Sequence, residues 1–376
     1  MNKVNPRKRI LFLFAHLHKG GMQRAVSNIS MALPSEFIQY VAFFGTESPG
    51  FKYNATLVDF NIPGSKTAGI VSKIFNFIKR LIVISRYVRH NNIDTVVSFG
   101  ESANVYNLMS ASGAKKIIAS RVTLNESLAG GGIYTVLYKF LIRILYPLAD
   151  RVIAVSEALG QQMREIVGDK DKVTVIPNLY HTEEIVKLSQ ENLPENLAYL
   201  EKRKFILNVG SFCYQKGQDD LIKIFKSVHE KCDDVLLVIM GRGEWKDKLL
   251  NLTENLGLKD VVIFVDFDEN PYRYMARAST FILASRFEGF PNVLVEAMIC
   301  GVPVVAFDCP TGPYEILGNN EWGFLIKGRS EEMAIMHLTE LLTDDVLSER
   351  MRFFAVRRGK DYSSGRIISM WNKELS

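Results

Sequence analysis

Cysteine is scarce. The chain of 376 residues has four, Cys213, Cys232, Cys300 and Cys309, all in its second half and none in a C-x-x-C pair. That excludes a disulfide framework and a clustered-thiol zinc site, and it fits reduced thiols packed inside a cytosolic protein. Long apolar runs are missing as well: no stretch approaches the ~18 residues of a membrane span. The chain therefore reads as soluble or peripheral. Its start, MNKVNPRKRILFLFAHLHKGG, resembles a leader in its basic residues and short apolar run, but His16 and His18 interrupt the run and no small-residue cleavage site follows. It is read as a basic tail entering a buried strand. Fixed short repeats and low-complexity segments are also absent.

Acid is missing where base is plentiful. Residues 1–178 carry twice as many basic as acidic residues, and residues 179–376 carry an acidic excess beneath a net charge of +5. Residues 60–93 hold Lys66, Lys73, Lys79, Arg80, Arg86 and Arg89 with no Asp or Glu. Between Glu126 and Asp150, Lys139 and Arg143 stand beside Tyr134, Tyr138, Phe140 and Tyr146. A cationic first half expects an anionic partner. Basic helices with interleaved aromatics suit the interface of an anionic membrane, although helices packed on their own sheet would read much the same. No RNA- or DNA-reading motif accompanies the charge, so nucleic acid is not expected.

What is present is ordinary in amount and regular in order. Hydrophobic residues make up 47% and charged residues 23%, and the length suits two domains with a core each. Short β-branched runs alternate with helical periods. Ile10–Phe14, Val41–Phe44, Thr95–Phe99, Ile117–Ser120, Arg151–Val155 and Val173–Ile176 read as strands, with helices between them from Gly21, Val71, Ala103, Tyr134 and Ser156. Alternation of this kind gives an α/β fold with a parallel sheet between helical layers. The pattern restarts after a polar stretch: strands at Phe205–Val209, Val235–Met240, Val261–Val265 and Thr280–Leu283, with helices from Gln218 and Glu244. The expected organisation is an N-terminal Rossmann-like domain over 1–178, a linker over 179–203, a second Rossmann-like domain over 204–360, and a C-terminal helix over 361–376 packing back on the first. Ligands of such sheets bind at the carboxyl ends of the strands.

Residues 283–316, LASRFEGFPNVLVEAMICGVPVVAFDCPTGPYEI, concentrate the chemistry. Pro291 suits a first helical position and Gly301 the residue past the helix end. Leu294, Ala297, Met298 and Gly301 share one face, and Glu296 lies about 160° round from Leu294 at ~100° per residue. Glu296 is therefore expected to point off the core. Glu288 precedes the helix in the loop. Two carboxylates then bracket a helix start whose N–H groups and dipole favour an anion. A nucleotide sugar satisfies both demands, with its diphosphate at the helix start and its hydroxyls on the carboxylates. Two solvated glutamates beside an ordinary helix are the plainer alternative.

The full string decides between them. Glu-Gly-Phe-Pro-Asn, then Glu296-Ala297, Gly301-x-Pro303-Val304-Val305 and a Gly-Pro loop before Glu315 resemble the signature of family 4 (group 1) retaining glycosyltransferases, whose two glutamates are likewise separated by seven residues. The resemblance covers most of the chain. It implies the GT-B architecture, two Rossmann-like domains facing a central cleft. It also implies transfer of a hexose or N-acetylhexosamine, with retention, from a nucleotide sugar, expected to be a UDP-sugar, to a glycan acceptor. The Cys309-Pro310-Thr311-Gly312-Pro313 loop and Glu315-Ile316-Leu317 resemble bacterial members that build surface polysaccharide or lipid-linked oligosaccharide. An acceptor on a lipid pyrophosphate, reached at the inner face of the cytoplasmic membrane, is the matching expectation.

Under that resemblance the residues take roles. Glu288 contacts the sugar and Lys216 the leaving diphosphate as the catalytic pair. Gly20 and Gly21 of the first glycine loop, with His18 nearby, and Gly210, Ser211, Phe290, Pro291, Asn292, Val293 and Glu296 bind substrate. Ser211 stands where relatives carry an arginine, so Arg242 or Arg286 is expected to help Lys216. Relatives place a catalytic histidine near the strand end occupied here by Ser120-Arg121, and this chain has none there. Gly241-Arg242-Gly243 lacks the third glycine of a dinucleotide fingerprint. Asp266-Phe267-Asp268 imitates a divalent-metal motif of another glycosyltransferase architecture; no metal cofactor is expected, because Lys216 and helix dipoles supply positive charge. A UDP-sugar epimerase, which would turn over donor without acceptor, and a non-catalytic nucleotide-sugar-binding component, favoured only by Ser211, are the alternatives.

Overall fold

Parallel strands buried on both faces need near-continuous apolar sequence, and KRILFLF and FILNV supply it. A computed structural model describes residues 7–17, 21–45, 50–62, 69–121 and 133–376. They fall into two compact units, Met1–Leu179 with Ser364–Ser376, and Tyr180–Ser363.

In the N-terminal unit the order is β1 (Lys8–Phe14), α1 (Gly21–Ala32), β2 (Phe37–Phe43), β3 (Thr56–Asp59), α2 (Ile70–His90), β4 (Thr95–Phe99), α3 (Glu101–Met109), β5 (Lys115–Ser120), α4 (Ile133–Leu145), β6 (Arg151–Ala154), α5 (Glu157–Val167) and β7 (Val173–Val175). The strands run parallel in the order β3-β2-β1-β4-β5-β6-β7. Alternate residues of β1 feed opposite cores: Leu11 and Leu13 meet Ile84, Val88 and Ala103 on one face, while Ile10, Phe12 and Phe14 meet Val26 and Ile29 on the other. The helix at the end of the chain belongs to this second core, where Trp371 is fully buried beside Phe99.

The C-terminal unit runs α6 (Thr182–Ser189), β8 (Phe205–Val209), α7 (Gln218–His229), β9 (Leu236–Met240), α8 (Lys246–Asn255), β10 (Val262–Val265), α9 (Tyr272–Met275), β11 (Thr280–Leu283), α10 (Asn292–Ile299), β12 (Val304–Phe307), α11 (Pro313–Leu317), β13 (Phe324–Ile326), α12 (Glu331–Thr343) and α13 (Asp345–Gly359); α14 (Ser364–Leu375) follows in the N-terminal unit. Its sheet is again parallel, in the order β10-β9-β8-β11-β12-β13. Each sheet reverses direction of growth once, between β1 and β4 and between β8 and β11. Those switch points are where the loops after adjacent strands diverge and leave a crevice.

Sequence and structure differ in a few elements. Strands β3 and β13 were not expected: β3 is a half-exposed edge strand of four residues and β13 has three, too short to show a period. Residues 179–203, expected as a linker, contain α6 and a 3-10 turn at Glu195–Lys202, held by bonds from Asn270 to Leu188 and Arg277 to Ser189. Polar composition hid them because, after Leu179 and Tyr180, Ile185, Leu193 and Leu200 are the buried apolar anchors there. Arg80, grouped with the surface bases, is 7% exposed. Its guanidinium donates to the Ile62 carbonyl at 2.7 Å and the Tyr106 hydroxyl at 2.8 Å and lies 4.7 Å from the Phe44 ring centre. It is a structural cation, satisfied inside the unit.

Candidate active site

The site begins with two loops leaving adjacent strands at the β8–β11 switch point. After β8, Gly210 and the exposed Ser211 lead to a 3-10 turn at Tyr214–Lys216 and then to Gly217. Gly217 has φ +64°, and a Cβ there would stand 2.2 Å from the Ala284 carbonyl oxygen. Only glycine lets the β8 loop lie this close to the end of β11. Lys216 folds its stem back over Gly210, whose missing side chain makes the room.

After β11, Ser285 to Gly289 carry Glu288 into contact with that lysine. Lys216 Nζ lies 2.6 Å from Glu288 Oε1, and the Ser285 hydroxyl donates to the same oxygen at 2.7 Å. The Thr311 hydroxyl donates to the Glu288 carbonyl. Glu288 is 6% exposed. A carboxylate so far from water needs such partners, and removing one would strand the other.

Arginines clamp the two loops together. Arg286 bonds Asp219 at 3.0 and 3.1 Å, Asp220 at 2.7 Å and the Tyr214 carbonyl at 2.7 Å, and it lies over the Tyr214 ring. Arg329 reaches the Ser285 carbonyl at 2.8 Å and Asp220 at 3.2 Å. Burial alone would raise the Asp219 carboxyl; hydrogen bonds and charge from Arg286 outweigh it and hold the group below its usual range. Arg286, expected as a possible helper of Lys216, is thus committed to bracing, because its terminal nitrogens are bonded to aspartates and a carbonyl. Arg242 is exposed and lies 4.8 Å from the Phe267 ring centre.

The next element is α10. Pro291 is its N-cap at φ −77°, ψ 86°, one position earlier than expected, and no side chain caps the helix start. Proline lacks a side-chain acceptor, so no N-cap side chain occupies the first-turn N–H groups; Leu294 N–H donates to the Pro291 carbonyl at 3.0 Å. Asn292 accepts from the Tyr180 hydroxyl at 2.6 Å. Phe290 is buried with its ring 6.0 Å from that of Tyr362, and Val293 is half-buried. Gly312, at φ +96°, presses on Pro291, where a Cβ would meet the ring at 2.4 Å. Glu296, expected off the core, is instead 2% exposed. Helical geometry does turn it away from Leu294, but α10 itself packs against both α6 and α13, so a residue off the Leu294 face need not reach solvent. Its charge, after burial itself, raises the Cys300 thiol.

The structure therefore brings together Gly210, Lys216 and Glu288, and sets Phe290, Pro291, Asn292, Val293 and Glu296 on the continuation of the same loop. Gly21 opens α1 in the N-terminal unit, whereas Gly20, Lys19 and His18 lie outside the described residues. The Asp266 and Asp268 carboxylates are engaged by Lys246 at 2.6 Å and Arg273 at 2.5 Å. Ser120 is buried, and Arg121 lies over the Phe99 ring with its guanidinium bonded to Asn178.

One residue was missed by sequence reasoning. Glu101 opens α3 directly after β4, at the switch point of the N-terminal sheet, next to Gly100 at φ +87°. Burial raises its carboxyl above the usual range. Phe99-Gly100-Glu101, an acid behind a glycine at a strand end, was the available signal.

Known proteins agree on what this assembly belongs to. The family profile described as Glycosyltransferase Family 4 matches residues 19–184, and Glycosyl transferases group 1 matches residues 189–357. An N-acetylgalactosamine-N,N'-diacetylbacillosaminyl-diphospho-undecaprenol 4-alpha-N-acetylgalactosaminyltransferase of Campylobacter jejuni is 32% identical over 303 residues, covering 78% of this chain and 80% of its own. The amylovoran biosynthesis glycosyltransferase AmsD of Erwinia amylovora is 25% identical over 98% of this chain and 99% of its own. Among solved structures, Anabaena HepE in complex with UDP and glucose superposes with a TM-score of 0.77 at 17% identity, covering 97% of this chain and 98% of its own. The two parallel α/β units have the GT-B fold, and the chain belongs to the group 1 glycosyltransferases.

Proposed function

We propose that the protein is a family 4, retaining glycosyltransferase. It moves a hexose or N-acetylhexosamine from a UDP-sugar to a glycan acceptor on a lipid pyrophosphate, in bacterial surface polysaccharide synthesis. The observation that carries the reading is the meeting of Lys216 with Glu288 at the β8–β11 switch point, one loop before the uncapped start of α10. The Campylobacter relative, named for an undecaprenol-diphosphate acceptor, and HepE, solved with UDP and glucose, support acceptor class and donor respectively.

In this reading the C-terminal unit holds the donor. Backbone N–H groups of residues 290–293 and the Lys216 ammonium meet the diphosphate, with Gly210 and Ser211 beside it. An ammonium has three donors, so Lys216 can keep Glu288 while binding a phosphate oxygen. Glu296 accepts from the ribose hydroxyls and Glu288 from sugar hydroxyls near the reacting carbon. The acceptor oxygen attacks the anomeric carbon from the side of the leaving group. The bond from that carbon to the diphosphate breaks, its electron pair staying on the diphosphate oxygen, and the acceptor proton passes to that oxygen. Charge growing on the diphosphate is the quantity to stabilise, and fixed dipoles with a lysine do so in place. The N-terminal unit serves the acceptor in this reading, with Gly20, Gly21 and Glu101 as contributing residues. Both carboxylates of the Asp266-Phe267-Asp268 motif already have cationic partners, so transfer is expected to survive chelation of divalent ions.

The enzyme works at the inner face of the cytoplasmic membrane as a peripheral protein; among the described residues no helix is long and apolar enough to cross a membrane. UDP-glucose, UDP-galactose and their N-acetyl forms, each offered with lipid-pyrophosphate-linked glycans, test the reading. One pair should give a product with the donor's anomeric configuration. Product of inverted configuration, or an epimerised donor without acceptor, would refute it.

A further inference from the structure

Helix α2 has more apolar surface than its own core uses. Its inner face, Phe77, Leu81, Ile84 and Val88, packs on Leu11, Leu13 and Phe44. A second row, Val71, Ile74, Phe75, Ile78 and Ile82, stands in solvent, with Val71 81% and Phe75 65% exposed. At ~100° per residue these five occupy a stripe about 100° wide that adjoins the inner face and extends it round the helix. An ordinary surface helix would be polar there. Beside the stripe lie the exposed Lys79, Arg86 and Arg89, and no acid occurs from residue 60 to residue 93.

The same face of the unit carries a second patch of this kind. Helix α3 packs against both α2 and α4. On α4 and the turn after it, Phe140, Ile144 and Leu148 are exposed at four-residue spacing, with exposed Arg143 among them. Two apolar strips flanked by bases, on helices either side of a third, suit a broad flat partner more than a single peptide in a groove.

We infer that the α2–α4 face of the N-terminal unit inserts into an anionic lipid leaflet, the Val71–Ile82 row entering the acyl boundary and Lys79, Arg86 and Arg89 meeting lipid phosphates. The apolar row supplies depth and the bases supply selection for negative charge, the two ingredients of an interfacial helix. This specifies the membrane contact of the function proposed above and rests on that reading only for which substrate it serves. Arg80 has no part in it, being bonded inside the unit.

Co-sedimentation of the full chain with vesicles of equal parts phosphatidylcholine and phosphatidylglycerol, and with phosphatidylcholine alone, tests it. Wild type should pellet with the anionic vesicles and far less with the neutral ones. A triple Ile74→Ser, Phe75→Ser, Ile78→Ser variant should lose at least roughly a hundredfold in partitioning. Lys79→Gln, Arg86→Gln, Arg89→Gln together should lose about as much on anionic vesicles, roughly fivefold per base, and nothing on neutral ones. Light scattering and the UDP-induced rise in thermal midpoint are recorded for each. Unchanged sedimentation of either variant would overturn the inference. So would a wild-type dimer that the serine variant converts to monomer, which would assign the stripe to a second copy. If vesicle binding fails while UDP still stabilises the protein, the leaflet contact falls and the donor site stands.

Discussion

The two units share the order of six strands, the N-terminal sheet adding a seventh, and differ at the edge of their switch points. At the β8–β11 edge, Lys216, Glu288, Arg286, Asp219, Asp220 and Arg329 tie two loops into one charged network. At the β1–β4 edge, Glu101 sits beside tyrosines instead, and its charge, after burial, raises the Tyr146 hydroxyl. The same scaffold thus presents a braced, cation-containing cradle in one case and a half-buried acid in the other. Function is set by the loops after the strands, not by the sheet. A rigid cradle suits a donor whose departing group must find its countercharge in place; a single acid suits an acceptor that supplies most of its own recognition.

If the C-terminal cradle is the donor site, its lysine should matter most. Lys216→Ala is expected to cut the initial rate of transfer about 10²–10³-fold, with donor held at saturation. A loss confined to KM would assign Lys216 to binding alone. Gly217→Ala should break the cradle mechanically, since its Cβ would collide with the Ala284 carbonyl; urea unfolding should show a loss well over ~1 kcal/mol. The brace should be sensitive to acid. Asp219 is held below its usual range, so its contribution is present above that range and lost as pH falls through the lowered value. Asp219→Asn is expected to cost ~1–3 kcal/mol near neutrality, the gap to wild type closing in acid. The N-terminal edge should behave oppositely and more weakly. Glu101 is raised, so its protonated form favours the fold and stability falls as pH climbs through the raised value. Glu101→Gln should therefore match wild type in acid and exceed it, by ~1 kcal/mol or less, at alkaline pH in thermal melts.

These contrasts were partly legible in the sequence. Phe205–Val209 and Thr280–Leu283 stand in the structure at the bounds their apolar runs indicated, because buried parallel strands have little freedom of composition. Strands β3 and β13 were hidden because edge strands of three or four residues leave no periodic trace. Glu288 and Lys216 could each be singled out, yet their pairing across 72 residues is a tertiary fact. Arg286 was expected to help Lys216 and Arg80 to lie among the surface bases; the aspartates and carbonyls that absorb them come from other parts of the chain. Glu296 illustrates the reverse limit: helical period fixed its direction, but nothing in a periodic pattern reveals that the side chain is buried. The apolar row on α2 could not be separated from a core-facing row until the adjoining face was seen to fill the core.

The claim that UDP sits at the start of α10, with its ribose on Glu296, is tested most directly by calorimetric titration of UDP into wild type and Glu296→Ala, with thermal melts confirming that both are folded. The account expects the variant to bind at least about tenfold more weakly, as follows from losing a charged hydrogen bond of ~1.5–3 kcal/mol. Equal affinity in a folded Glu296→Ala protein would contradict it.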